Sequence, residues 1–130
     1  MYYNLFLDDE RFPQQVTWVN LPAVEWQIVR NYNEFVETIK RQGAPYHVSF
    51  DNDLADEHYS NVLPEDKDGN FKKINASFKE KTGYDCAKFL VNYCRENDIK
   101  FPYYTVHSMN PVGKENIIAL IESYKRVFEA

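Results

Sequence analysis

Apolar positions along the chain fall into short continuous runs and into longer stretches where they recur at helical spacing. The short runs predict four strands, at residues 3–7, 26–30, 46–50 and 103–106. Pro45 and Pro102 stand directly before the last two runs, at a position where a strand tolerates proline. A stretch of helical spacing follows each of the last three strands, which predicts that strands and helices alternate.

Capping signals set the starts of the first two predicted helices. Asn31 with Glu34, and Thr82 with Asp85, have the three-residue spacing of a capping box. Gly43 is expected to end the first of these helices. The residues expected to line one face of each helix are Tyr32, Phe35, Val36 and Ile39 in the first and Cys86, Leu90, Tyr93 and Cys94 in the second.

The last predicted helix begins after Asn110, with Pro111 at its first position, where the missing N–H of proline costs no hydrogen bond. Its buried face is expected to consist of Ile117, Leu120, Ile121, Tyr124 and Phe128. Residues 13–24 show no clear period, and the sequence leaves open a short irregular helix there.

These elements predict an α/β protein, with a parallel sheet and helices on both faces. A length of 130 residues favours a single domain, residues 1–130. A polar, turn-rich insert at residues 55–81 separates the third strand from its helix. A connection this long is a lid, a binding loop or a solvated excursion, and the sequence leaves that choice open. The string DKDGN in the insert does not match a calcium loop, because the distal glutamate is missing.

Composition and charge narrow the possible functions. The chain is 44% hydrophobic and 16% aromatic, which excludes a disordered tail. Its net charge of −5 argues against stable binding of duplex nucleic acid, so a phosphate-bearing partner requires a local basic patch or a metal. We expect no membrane span and no signal peptide. Cys86 and Cys94 are expected to be buried and reduced, as in a cytoplasmic protein.

Two acidic pairs directly follow apolar strands. NLFLDDER places Asp8 and Asp9 after the first strand, and HVSFDNDL places Asp51 and Asp53 after the third. In a sheet with the order 2-1-3-4, the ligand crevice lies at the carboxyl ends of the first and third strands. The four carboxylates are therefore expected to converge and to bind Mg²⁺ or Mn²⁺. The alternative is that these acids only solvate the strand ends.

The string TVHSMNPVGKEN adds complementary chemistry after the fourth strand. His107 and Ser108 are expected at the same edge of the sheet as the acids. Asn110, Gly113 and Lys114 could form an anion site, with free helix amides, room for a phosphate and a positive charge. The alternative is an ordinary capped helix with a solvated lysine and a histidine packed in the core.

Four strings of the sequence carry a family resemblance: LFLDDERFP, SFDNDL, TGYDCAKFL and VHSMNPVGKENI. They resemble the cyclic-phosphate-processing receiver-like family, whose members are expected to act on phosphorylated or cyclic-phosphate nucleotides and RNA ends. The resemblance implies a truncated receiver-like (flavodoxin-like) fold of three layers, with a four-stranded parallel sheet in the order 2-1-3-4.

The resemblance also implies roles for the candidate residues. Asp8 or Asp9 would bind magnesium together with Asp51, which stands at the phosphoacceptor position of receivers. Ser108 or His107 stands where receivers keep a hydroxyl residue. The last predicted element is the helix after the fourth strand, so the fifth strand of receivers and its lysine are expected to be missing.

The expected activity is that of a metal-dependent phosphoesterase or cyclic-phosphate hydrolase acting on a nucleotide or RNA end. The divalent ion would polarise the phosphoryl group, and His107 would act as general acid or base. Lys114, as the nearest replacement for the missing lysine, would neutralise developing charge together with the helix amides. Arg11 is expected either to bind phosphate or to pair with Glu10.

Two other functions remain open. A non-catalytic receiver-like module would bind a nucleotide or a partner protein through the same edge, and metal-dependent turnover would distinguish it from an enzyme. The Asp-x-Asp in FDND is also similar to the motif of haloacid-dehalogenase phosphatases. That class needs a distal lysine and later acids, for which this chain has little room.

Overall fold

Strands and helices alternate along the described part of the chain, residues 2–54 and 81–128 of this computed structural model. Its elements are β1 (Asn4–Leu7), a 3₁₀ turn (Pro13–Gln15), β2 (Gln27–Val29), α1 (Tyr32–Gln42), β3 (His47–Phe50), α2 (Gly83–Asn97), β4 (Tyr103–Val106) and α3 (Pro111–Phe128). The strands differ from the predicted bounds by at most one residue at each end. The predicted insert, apart from Lys81, lies outside the described residues. No helix in the described part is long and apolar enough to cross a membrane.

The four strands form one parallel sheet in the order β2-β1-β3-β4, which confirms the predicted fold class and strand order. Leu7 is level with Val29 on one side and with Phe50 on the other. Phe50 is in turn level with Val106. All four strands therefore end at the same level, and the residues that follow them share one edge of the sheet.

The hydrophobic core lies between one face of the sheet and the three helices. This face consists of alternate strand residues, because side chains along a strand point to opposite sides. The core residues are Leu5, Leu7, Val29, Val48, Phe50 and Val106 from the strands, Phe35 and Ile39 from α1, Cys86, Leu90 and Cys94 from α2, and Ile117, Ile121 and Tyr124 from α3. Both cysteines are buried free thiols, as predicted.

The opposite face of the sheet has a different cover. Phe6, Ile28, Ser49 and Thr105 are level with one another and point away from the helices. The segment between β1 and β2 lies over this face, and its Trp26 ring meets Phe6 at 6.1 Å between centroids. Among the described residues the three helices therefore pack on one face, although we expected helices on both. The covering segment contains two prolines and no helical period, which limits its helix to the single 3₁₀ turn.

The helix starts follow the predicted caps, with one difference. Thr82 and Asp85 form the complete box, in which each side chain accepts the backbone N–H of the other. Asn31 accepts the N–H of Glu34 at 2.9 Å, but the Glu34 carboxylate accepts the N–H of Arg30 at 2.7 Å. Glu34 thus reaches one residue further back than a capping box requires, and it ties the start of α1 to the residue that follows β2.

Candidate functional site

Four residues form a row at the carboxyl edge of the sheet, one directly after each strand. This edge row consists of Arg30 after β2, Asp8 after β1, Asp51 after β3 and His107 after β4. The N–H groups of Asp8, Asp51 and His107 continue the backbone ladder, donating to carbonyls of the neighbouring strand at 3.2, 3.0 and 2.9 Å. The row is therefore held by the sheet itself, and it brings together three residues that the sequence predicted to converge.

Asp8 is completely buried, and both of its carboxylate oxygens accept hydrogen bonds. Its Oδ1 accepts the backbone N–H groups of Glu10 and Arg11 at 2.9 and 2.8 Å. Its Oδ2 lies 3.0 Å from Nε2 of His107 and 3.4 Å from Nη1 of Arg11. Burial alone would raise the pKa of Asp8, but the bonds from His107, Glu10 and Arg11 outweigh it and hold that pKa well below its usual range. Asp8 is therefore a fixed negative charge.

His107 is also completely buried, between Asp8 and Ser49. Its Nδ1 lies 2.7 Å from Oγ of Ser49, and its ring is stacked on Phe6 with centroids 4.6 Å apart. Because an ionised carboxylate can only accept, Nε2 must carry the proton that is shared with Asp8. In the neutral ring Nδ1 then accepts the Ser49 hydroxyl. Both ring nitrogens are thus engaged within the protein, and the ring orientation is fixed.

Asp51 has the opposite electrostatic environment. It is 5% exposed, and its Oδ1 accepts the N–H of Asn52 at 2.8 Å. Oδ2 receives no hydrogen bond from any residue in the described part of the chain. Burial and the nearby charges of Asp8 and Asp9 raise the pKa of Asp51 to about 7, although the N–H of Asn52 acts in the other direction. A cation at Oδ2 would remove this penalty.

The structure brings together three side chains of the kind that bind metal ions. Asp8, Asp51 and His107 are buried and each has a ligand atom within 4.8 Å of the others, but both nitrogens of His107 are engaged by Asp8 and Ser49. Asp9 is half-buried, and its charge acts on Asp51. Asp53 is exposed and does not belong to the three-residue set. Carboxylate oxygens, one of them without a hydrogen-bond donor, suit Mg²⁺ or Mn²⁺.

Two arginines contact Asp8: Arg11, from the loop after β1, and Arg30, which belongs to the edge row. Arg11 Nη1 approaches Asp8 as described, its Nη2 lies 3.7 Å from Sδ of Met109, and its guanidinium lies 5.2 Å from the centre of the Trp18 ring. Arg30 donates from Nη1 to the carbonyl oxygens of Asp8 and Arg11 at 3.1 and 2.7 Å. Arg30 thus holds the loop after β1 in place, and 30% of the Arg11 side chain is exposed to a ligand.

The turn before α3 is closely packed. The Ser108 hydroxyl accepts the N–H of Asn110 at 3.1 Å, and Oδ1 of Asn110 accepts the N–H of Gly113 at 3.0 Å. The Gly113 amide, which we expected to face a phosphate, is therefore used within the cap. A Cβ on Gly113 would lie 3.0 Å from Cβ of Asn52 and closer still to its amide group. Lys114 is half-buried on the first turn of the helix.

Asn52 connects the end of β3 to two helix starts, a role that the sequence analysis missed. Its carbonyl accepts the N–H of Gly83 at 2.8 Å, and its side chain accepts the N–H of Tyr84 at 3.3 Å. A Cβ on Gly83 would lie 2.8 Å from the carbonyl carbon of Asp51. Glycine at this position lets the start of α2 pack against the backbone of Asp51.

Ser49, Arg30 and Trp18 were also missed as supporting residues. Ser49 is a small residue in the middle of a strand, and Arg30 looked like an ordinary strand end. Their alignment with His107 and Asp8 becomes visible only with the strand register. Trp18 donates its indole N–H to the carbonyl of His107 at 2.8 Å, which joins two segments 89 residues apart.

The chain was compared with known protein families. The family described as "Cyclic-phosphate processing Receiver domain" matches residues 3–123, a range that includes the whole edge row. No curated protein and no solved structure matches the chain.

Proposed function

Because the chain belongs to the family of cyclic-phosphate processing receiver domains, we propose that it hydrolyses a cyclic phosphate or phosphoester on a nucleotide or RNA end with a divalent metal ion. The observation that supports this most strongly is the state of Asp51. Its carboxyl group is nearly buried beside the ionised Asp8, and its Oδ2 receives no hydrogen bond from the described residues. A bound cation would stabilise two buried carboxyl groups so close together. A pair of buried acids would not be needed if these residues served only to pack the core.

The proposed ligands of Mg²⁺ or Mn²⁺ are Asp51, Asp8 and the half-buried Asp9. When bound, the ion would polarise the phosphoryl group and neutralise part of its charge. The exposed Asp53 was expected as a fourth ligand, and we leave it out of the proposed set because, unlike Asp9, it is exposed and is not among the groups that raise the pKa of Asp51. The contacts of Asp8 with His107 and with backbone N–H groups would hold its carboxylate in one orientation.

Arg11 is the proposed contact for the phosphoryl oxygens. It is partly exposed, and its contacts with Asp8 and Met109 hold it beside the acids. A guanidinium in this place can bind two oxygens of a phosphate at once. Lys114 would supply a second charge, while the cap formed by Asn110 and Gly113 would fix the turn that carries it.

His107 is proposed as the general acid or base. Its two nitrogens contact Asp8 and Ser49, so proton transfer to substrate requires the ring to exchange one of these two partners. The same contact orients Asp8, which gives His107 a positioning role as well. Ser108 is 4% exposed and accepts the Asn110 N–H, and its proposed role is to position the phosphate through this turn.

One observation favours the alternative of a non-catalytic receiver-like module. His107 is completely buried with both nitrogens bonded, so in this conformation it presents no nitrogen to a ligand. A domain with this arrangement would bind a metal and an anionic nucleotide at the edge row without turning the nucleotide over.

Turnover assays distinguish the two functions. Purified protein would be tested on 2′,3′-cyclic nucleotides, RNA with a cyclic-phosphate end and simple phosphomonoesters, each with Mg²⁺, Mn²⁺ or chelator. We expect hydrolysis only with metal, and loss of at least about a hundredfold in Asp51→Asn. Asp98→Asn is the matched control, because Asp98 is exposed at the end of α2 in a left-handed conformation that asparagine also adopts. Metal-dependent binding of nucleotide without turnover would select the non-catalytic module.

A further inference from the structure

A cavity lies beside the edge row, between β2 and the segment that leads to it from β1. Its volume is about 740 Å³, within the usual range of small-molecule sites. Trp26 and Ile28 form its wall on the sheet side, and residues 12–14, 16–17 and 19–25 form the other walls. Ile28 belongs to the face of the sheet that the three helices leave free, so the cavity and the core lie on opposite sides of the sheet.

The cavity adjoins the acids through Phe12. The guanidinium of Arg30 lies 4.8 Å from the centre of the Phe12 ring, and the same guanidinium donates to the carbonyl of Asp8. Phe12 also follows Arg11, whose side chain reaches the Asp8 carboxylate. A ligand that extends from the acids of the edge row towards Arg30 would therefore meet the Phe12 ring, which is 51% exposed.

The lining has the chemistry of a site for a neutral aromatic ring. Phe12 and Trp26 offer ring surfaces, and the side-chain amides of Gln14 and Asn20 can both donate and accept hydrogen bonds. Glu25 is the charged residue among the lining residues, so the cavity would repel a phosphate and accept amino groups. Nucleobases have flat faces for stacking and edges that carry both donors and acceptors.

We infer that this cavity is the base subsite of the proposed phosphate-processing centre, so that the substrate is a nucleotide whose base stacks on Phe12 while its phosphate lies at the edge row. The inference rests on the proposed function. The two parts of the ligand would bind in regions of unlike charge. The anionic phosphate would contact Arg11 and the metal ion held by the acids, and the uncharged base would contact the aromatic residues of the cavity.

Calorimetric titration tests the subsite with three probes: a nucleoside 2′,3′-cyclic phosphate, the matching methyl riboside 2′,3′-cyclic phosphate without a base, and the free nucleoside. We expect the base to tighten binding by about tenfold or more, as stacking on one aromatic ring allows. Free nucleosides should bind weakly both with metal and with chelator. A short RNA with the same cyclic-phosphate end tests an RNA end against a free nucleotide, and we expect one of the two to bind more tightly than the base-free cyclic phosphate.

Two pairs of variants locate the binding. Ala23→Trp adds a large side chain to an exposed residue of the cavity wall, and Ala119→Trp makes the same change on the exposed side of α3. We expect Ala23→Trp to bind the cyclic phosphates with and without a base equally, and Ala119→Trp to keep the preference for the one with a base. Phe12→Ala should lose this preference as well. Tyr46→Ala, at a ring with 48% exposure, should keep it.

The outcomes separate this inference from the proposed function. Equal affinity for the two cyclic phosphates in the native protein would overturn the base subsite and leave phosphate processing intact. A base preference that survives in both Ala23→Trp and Phe12→Ala would also overturn it. Nucleoside binding that Phe12→Ala abolishes, without any binding of the base-free cyclic phosphate, would support the subsite and contradict the proposed phosphate chemistry.

Discussion

At the scale of single residues, Asp8 and Asp51 show how two neighbouring carboxyl groups are driven to opposite protonation states. Asp8 accepts hydrogen bonds from two backbone N–H groups and from the His107 ring, and these bonds keep it ionised despite complete burial. Asp51 accepts one N–H and lies in the field of Asp8, so it holds its proton up to higher pH. A pair of this kind can accept a cation with the release of a single proton.

Metal-free protein should lose stability as the pH rises towards neutrality, because Asp51 must ionise while buried. Its pKa of about 7 in the folded state lies above the ordinary value of 3.8. Its contribution to the free energy of unfolding is therefore full below about pH 4, declines between the two values and is lost above about pH 7. Asp51→Asn should remove this decline, on the order of 2 kcal/mol, in urea unfolding with chelator between about pH 5 and pH 8.

Asp98→Asn is the control for this pH dependence, and it should follow the native profile because Asp98 is exposed. The idea fails if the native protein and Asp51→Asn lose stability in parallel over this range, since the decline would then come from other groups.

His107→Gln separates proton transfer from positioning. The Gln amide can donate to Asp8 in place of Nε2, but it cannot act as an acid or base near neutrality. We expect the variant to keep metal binding and to lose turnover by a factor of about 10² to 10⁴. Steady-state kinetics and melting curves measure the two effects. Turnover within a few-fold of native would leave His107 with the positioning role alone.

At the scale of elements, the site depends on how closely two helix starts approach the residues after β3. The start of α2 packs on the backbone of Asp51 at Gly83, and the start of α3 packs on the side chain of Asn52 at Gly113. Backbone cannot move aside without shifting the Asp51 carboxylate, whereas a side chain can rotate. The first contact is therefore the stricter of the two.

Gly83→Ala should destabilise the protein more than Gly113→Ala. The new Cβ at residue 83 would lie within 3 Å of the Asp51 carbonyl carbon and of Cα of Asn52. We expect a loss of about 1–3 kcal/mol and weaker metal binding, since the strand end must shift. Gly113→Ala should displace only the Asn52 side chain. Chemical denaturation and metal titration measure both, and equal losses in the two variants would contradict this ranking.

The sequence allowed the acids to be located because parallel strands end at a common edge. Asp8, Asp51 and His107 each follow an apolar run, so their convergence follows from the strand order alone. The contact of His107 with Ser49 could not be predicted from the sequence, because it depends on the register of β3 against β4. The use of the Gly113 amide was left open by the sequence for a related reason: Asn110 can cap the helix or leave its amides free for a ligand, and the sequence fits both.

At the scale of the whole molecule, charge distribution limits how an anion can bind. The chain has a net charge of −5, so its long-range field repels phosphate. Near the edge row the negative charges of Asp8 and Asp9 add to this repulsion, while Arg11 and Arg30 oppose it. A divalent ion would reverse the local sign, which makes metal binding the central claim.

The melting temperature with and without metal tests that claim most directly. Binding to the folded state alone, at a hundredfold excess over Kd, adds about 2.7 kcal/mol and should raise Tm by several degrees. We expect this rise with Mg²⁺ or Mn²⁺ in the native protein and in Asp98→Asn. In Asp51→Asn we expect a high metal-free Tm that metal does not change. An unchanged native Tm in millimolar Mn²⁺, or an equal rise in Asp51→Asn, would contradict a metal site at Asp51.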